Sequence, residues 1–107
     1  MPRRSIFKQI FAPEVTHHIK AIDRKYHGVI QRVIDEQLRY TPNTATRNRK
    51  PLEEPAPFGA TWEIRCGPGN RFRVFYDVDI QEHAVIVLAI GKKDGNRLFI
   101  GKNEFNL

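Results

Sequence analysis

Apolar and polar residues alternate in different rhythms along the chain, and the rhythms predict its elements. In residues 5–11, Ile6, Phe7, Ile10 and Phe11 predict a short strand, and Pro13 suits the first turn of a helix that follows. Val15, Ile19 and Ile22 recur at helical spacing with His18 on the same face, until Gly28 breaks the pattern just after Tyr26. Val29, Ile30, Val33, Ile34 and Leu38 carry an apolar stripe onward to Pro42, whose ring disfavours helix in the residue before it. Two helices forming a hairpin are expected. Residues 41–60 hold Pro42, Pro51, Pro55, Pro57 and Gly59 and little apolar material besides Leu52 and Phe58, which predicts a long loop. A loop of that length in a small domain usually binds something.

The rhythm then changes to period two. Trp62, Ile64 and Cys66 alternate with Thr61, Glu63 and Arg65; after the turn Gly67-Pro68-Gly69-Asn70, Phe72, Val74, Tyr76 and Val78 alternate with Arg71, Arg73, Phe75 and Asp77. Residues 84–90 are apolar throughout, the mark of an interior strand covered on both faces. Leu98, Phe99 and Ile100, after the Asp94-Gly95 turn, read equally as a last strand or a docked tail. The order predicts an α+β fold in one domain over residues 1–107. It has an N-terminal strand, a helical hairpin and then a three-stranded antiparallel meander, with the helices packed on one face of a mainly antiparallel sheet.

Composition adds a partner class. The chain is 40% hydrophobic and 28% charged, with a formal net charge of +6 and a pI near 9.8. It has no apolar run near the roughly 20 residues that cross a bilayer, and Met1-Pro2-Arg3-Arg4 opens no signal peptide, so a cytoplasmic protein with no membrane partner is expected. The positive charge is concentrated in Arg47, Arg49 and Lys50, in Arg65, Arg71 and Arg73, and in Lys92, Lys93, Arg97 and Lys102. Such runs are either a solvated surface or the footprint of a polyanion. Strict alternation places Arg65, Arg71 and Arg73 on the polar faces of adjacent strands, where they either gather within a phosphate's reach of one another or stand as separate solvated arginines paired with Glu63 or Asp77.

Other constellations carry less. His17, His18, His27 and His83 match no metal-ligand spacing, and no metal or cofactor is expected. Cys66, the single cysteine, follows the apolar phase of its strand and reads as a buried structural thiol. Glycines 91, 95 and 101 form no phosphate-cradling loop, so nucleotide hydrolysis is not supported.

Trp62-Glu63-Ile64-Arg65, Arg73-Val74-Phe75-Tyr76-Asp77-Val78, Ile90-Gly91-Lys92-Lys93 and Asn96-Arg97-Leu98-Phe99-Ile100 together resemble the RelE/ParE toxin superfamily, and Arg47-Asn48-Arg49-Lys50-Pro51-Leu52 resembles the loop before the first meander strand of RelE-like members. The resemblance spans nearly the whole chain. It implies a RelE-like two-layer fold and a toxin of a type II toxin-antitoxin system, held in check by a cognate antitoxin in a hetero-oligomer. The activity implied is translation inhibition and growth arrest, through metal-independent, ribosome-dependent endoribonuclease cleavage of mRNA.

By position, the resemblance casts Arg73 as the arginine at the scissile phosphate, Arg65 as a basic catalytic residue on the preceding strand and Lys93 as the basic residue after the last strand's glycine. Phe72 replaces the tyrosine common before that arginine, Glu63 stands where the RelE type has lysine, and Phe99 stands where it has a tyrosine that helps catalysis. In the implied chemistry a ribose 2′-hydroxyl attacks the adjacent phosphate, which needs a proton acceptor, charge stabilisation and help for the departing 5′ oxygen. Arg65 and Arg73 supply only stabilisation. Glu63 is the candidate base, and Lys93, Lys92 or Lys50 titrates if neighbouring cations lower its pKa. Arg47, Arg49, Lys50, Arg71 and Lys92 are expected to hold RNA backbone, and Phe99 to stack on a base or pack in the core. Two further readings stay open: a ParE-like inhibitor of gyrase, and a catalytically inactive RNA- or antitoxin-binding module.

Overall fold

The computed structural model describes residues 6–53 and 56–105. Ser5 and Pro55, parts of the predicted first strand and long loop, lie outside the described residues. The architecture is α+β, with helices on one face of a seven-stranded sheet. The elements are β1 (Lys8–Phe11), α1 (Val15–Lys20), α2 (His27–Gln37), β2 (Arg49–Pro51), β3 (Trp62–Cys66), β4 (Phe72–Asp79), β5 (Ala84–Asp94), β6 (Arg97–Ile100) and β7 (Asn103–Phe105). Strand order is β2-β3-β4-β5-β6-β7, antiparallel throughout, with β1 added parallel to β5. Among the described residues no helix is long and apolar enough to cross a membrane.

Alternation and burial explain this assembly. Val15, Ile30 and Ile34 on the helices, with Ile22 and Leu38 just past their C-terminal ends, meet Ile64, Cys66, Phe72, Val74, Tyr76, Val85, Val87 and Ile90 on the sheet in one core. The second face carries a smaller core of Phe75, Ala89, Leu98 and Ile100, covered by Ala60, Leu52 and Ala56 from the proline-rich loop. The wholly apolar stretch of β5 thus has cover on both faces, one of helix and one of loop. Leu88 is an extra residue in β5: Phe75 pairs with Ala89 while Tyr76 pairs with Val87.

The structure corrects several expectations. Gly28 lies inside α2, and the break comes earlier, where the Asp23 carboxylate accepts the Lys25 amide N–H and starts the 3₁₀ turn Arg24–Tyr26. The long loop is not all loop, because Arg49–Pro51 pairs with β3 and extends the sheet at its edge. The 98–100 stretch is a strand, followed by an unforeseen β7.

The outer edge of β5 is shared by β1 at Ala84–Val87 and β6 at Gly91–Asp94. In the gap between them the buried His18 closes the ladder: its Nδ1 accepts the Ile90 amide N–H at 3.3 Å. That bond fixes the ring as the neutral Nε2–H tautomer. Burial holds the His18 pKa below the ordinary value, against a raising contribution from Glu14 and with a lowering one from His17.

Candidate functional site

Cross-strand register assembles the basic cluster. On the face away from the helices, Arg65 pairs directly with Arg73, and Arg73 with Gly91, which pairs with Ile100; the neighbouring row runs Lys50, Glu63, Phe75 and Ala89. Arg73 is nearly buried and held from two sides. Its Nε lies 3.2 Å from Glu63 Oε1, and its Nη1 donates to the Asn70 carbonyl at 2.8 Å. Lys50 Nζ approaches the other carboxylate oxygen at 3.7 Å, from a more exposed position. Glu63 therefore sits between two cations, and its first structural role is to orient Arg73.

Burial lowers the Arg73 pKa, opposed by the Glu63 charge, reinforced by Arg65 and opposed weakly by Cys66. A guanidinium starts so high on the scale that Arg73 stays cationic. Arg65, half-buried, has no carboxylate within ion-pair distance among the described residues. Two guanidinium groups directly opposite one another oppose folding, and only one of them is neutralised locally. Cys66 lies beneath this row, and burial pushes its thiol up to about 11 against the pull of Arg73, so it is no nucleophile near neutral pH.

Lys93 alternates onto the same face as Gly91 and Arg73, and its amide N–H donates to the Arg71 carbonyl at 2.8 Å. Gly91 leaves no space for a side chain: a Cβ there would come within 3.0 Å of Leu98 Cδ1, Ile100 Cγ1 and the Phe99 carbonyl oxygen. Lys93 follows two residues on along β5, on the same face as Arg73.

Other predicted residues lie apart. Lys92 faces the helices across from Phe99, so both are on the side of the sheet opposite Arg73. Arg71 borders a helical-side cavity with Lys92 and Tyr26. Arg47 is exposed, next to Asn48, whose carbonyl accepts the Arg65 amide N–H at 2.9 Å. Arg49 is not free: it is 5% exposed, and its Nη1 donates to the carbonyls of Gln37 and Thr41, with Thr46 Oγ1 accepting from Nε. Arg49 thus satisfies a carbonyl at the C-terminal end of α2 and pins the first half of the loop, which removes it from the expected RNA contacts. Tyr76 joins it there, donating its buried hydroxyl to the Pro42 carbonyl at 2.8 Å.

Sequence reasoning missed Asn70 as a holder of Arg73. Its signal was the Gly67-Pro68-Gly69-Asn70 turn, in which Gly67 (φ 80°), Gly69 (φ 63°) and Asn70 (φ 53°) all take left-handed backbone and aim the Asn70 carbonyl back at β4. A Cβ on Gly67 would lie 2.3 Å from Phe72 Cδ2.

No protein-family model matches the sequence, and no curated protein matches it. Among solved structures, the fold is similar to a chain of the RelBE2 toxin-antitoxin complex from Mycobacterium tuberculosis, with a TM-score of 0.67 and 16% identity over 87% of this chain and 98% of that one. The protein has the RelE-like α+β fold.

Proposed function

We propose that the protein is the toxin of a type II toxin-antitoxin system, acting as one domain over residues 1–107 in the cytoplasm and blocking translation by cleaving mRNA on the ribosome. The observation that carries this reading is the Arg65–Arg73 cross-strand pair on the face away from α1 and α2, with Arg73 already oriented by Glu63 and Asn70. The RelE-like fold and the toxin-antitoxin complex to which it is similar support the same direction.

In this reading the scissile phosphate docks over Arg65 and Arg73. Both guanidinium groups donate to its non-bridging oxygens and stabilise the charge that grows as the 2′-oxygen attacks. The 2′-hydroxyl gives its proton to a base, the new P–O bond closes a 2′,3′-cyclic phosphate, and the 5′ oxygen leaves with a proton. Glu63 is the carboxylate beside Arg73 and the candidate acceptor; Lys93, on the same face, is the candidate donor. Arg47 and Lys50 hold flanking backbone. A cognate antitoxin covers this face in the inactive complex, through an acidic or amphipathic segment that matches its charge.

One observation favours a second reading, an RNA- or antitoxin-binding module without cleavage: Glu63 meets the charge of Arg73, and Phe99 stands on the opposite face where no proton transfer to this site is open to it. Incubating purified protein with programmed ribosomes and mapping mRNA ends decides between them. Cleavage by wild type, lost in Arg73→Ala, supports the toxin; intact mRNA beside a RelE-type control that cleaves supports the module.

A further inference from the structure

Lys92 and Lys93 are consecutive in β5 and point to opposite faces, Lys93 toward the arginine row and Lys92 toward the helices. On the helical side Lys92 forms the common wall of two adjoining cavities of about 270 Å³ and about 260 Å³. The first also holds His18 and Phe99, the second Tyr26 and Arg71. Lys92 is half-buried, and neither it nor Arg71 has a carboxylate within ion-pair distance among the described residues. The acidic groups at the rim are Asp94, which is exposed, and Asp23, whose carboxylate accepts the Lys25 amide N–H. An ammonium group partly withdrawn from water and left without a counter-ion is costly, and an arriving anion relieves that cost. The aromatic wall is already set: Arg97, bound by Glu104, lies 5.2 Å from the Phe99 ring centroid.

Cations and an oriented ring beside one cavity are the chemistry of a nucleotide in a single strand, a phosphate on the cations and a base on the ring. The helical-side bay adjoins the end of β5 that carries Lys93, whose amide N–H donates to the Arg71 carbonyl.

We propose that the bay around Lys92 is a second RNA subsite, with Lys92 and Arg71 taking a phosphate and Phe99 stacking on a base of the strand that flanks the unit held at Arg65 and Arg73. The strand rounds the end of β5 and is gripped on both faces. The subsite rests on the reading of the Arg65–Arg73 face as an RNA site, yet it is tested without ribosomes or cleavage.

The probe is a fluorescein-labelled single-stranded RNA with 2′-O-methyl sugars, which cannot undergo 2′-oxygen attack, titrated into the full chain over a range of salt. Lys92→Ala is expected to weaken binding roughly 10-fold and to make the salt dependence shallower by about 0.7 in the log–log slope, the loss of one phosphate contact. Phe99→Ala weakens binding by a similar factor with the slope unchanged, while Lys92→Arg and Phe99→Trp retain it. Near-UV circular dichroism confirms that each variant is folded, and Lys92→Gln substitutes if the alanine is not. Wild-type affinity in both alanine variants, or no binding by wild type, overturns the subsite. Intact mRNA on ribosomes together with Lys92-dependent binding overturns cleavage and leaves the subsite standing.

Discussion

Glu63 and Arg73 lie on adjacent strands with Oε1 3.2 Å from Nε, and both side chains are only 9% exposed. Pairs this dry owe more to mutual dependence than to net attraction, because each ion alone is stranded out of water. Removing either partner therefore costs more than the pair contributes. Glu63→Gln is expected to lower stability by about 3 kcal/mol, at the low end for a broken buried pair because Lys50 and the nearby surface admit some water. Arg73→Ala falls in the same range, and Glu63→Gln/Arg73→Ala loses less than the sum of the two. Urea melts of the four proteins check this. Additive losses would show that the two charges do not depend on each other, and that Glu63 is not the residue that orients Arg73.

Arg47 and Arg49 stand two positions apart in one basic run and are expected to behave in opposite ways. Arg49→Ala leaves the carbonyls of Gln37 and Thr41 without their donor, removes a buried side chain and lowers stability by about 2 kcal/mol. Arg47 is exposed, so Arg47→Ala leaves the melting curve within about 0.5 kcal/mol of wild type and weakens RNA binding instead. The check is a denaturant melt and an RNA titration on each variant. Equal stability of the two would remove the anchoring role assigned to Arg49.

That contrast also marks where the sequence stops being informative. The helical hairpin and the β3–β4–β5 meander were legible because their apolar positions keep a period over many residues, and alternation put Arg65 and Arg73 on one face; it put Arg71 there too, but that residue precedes β4 and borders the helical-side cavity instead. Which arginine of a basic run is buried depends on carbonyls 8 and 12 residues away in the chain, which no local period records. Strands β2, β6 and β7 are three or four residues long, too short to show a rhythm, and exist because a neighbouring edge was open. The split of Lys92 and Phe99 from Lys93 and Arg73 was implicit in alternation, but it needed the partner strand β6, which the sequence left undecided. The resemblance placed the arginines by position alone; that Glu63, at a position where it implies a lysine, pairs with one of them is the alternative that the spacing itself had left open.

The stability of the protein is expected to fall on mild acidification because of His18. Its Nδ1 must stay unprotonated to accept the Ile90 amide, and burial lowers its pKa in the folded state. The unfolded chain takes up a proton near the ordinary value of 6.5, while the folded chain does so only at lower pH. In that window the unfolded state binds more protons, so stability rises with pH and is lost as pH falls below the unfolded value. Urea midpoints measured from about pH 7.5 down to about pH 5 should drop in wild type and flatten in His18→Gln, which starts lower by roughly 1 kcal/mol. A wild-type midpoint independent of pH across this range would mean that the ring takes up its proton as readily in the folded chain as in the unfolded one, and that the Ile90 contact is not a hydrogen bond to a neutral ring.

Arg65 supplies the sharpest separation between folding and function. It faces Arg73 directly across the strand pair, lacks a carboxylate partner among the described residues, and contributes a like-charge repulsion that the neighbouring Glu63 does not offset for it. If the row exists to hold a phosphate, Arg65 is retained against stability. Arg65→Ala should then raise stability by about 0.5 kcal/mol, within the span of cross-strand charge effects, while lowering mRNA cleavage on ribosomes roughly 100-fold, as loss of one transition-state donor does. Arg65→Lys keeps the charge but not the paired donors, and should recover only part of the rate. The outcome that sinks the argument is a variant less stable than wild type with unchanged cleavage, since Arg65 would then be a structural residue whose partner is water.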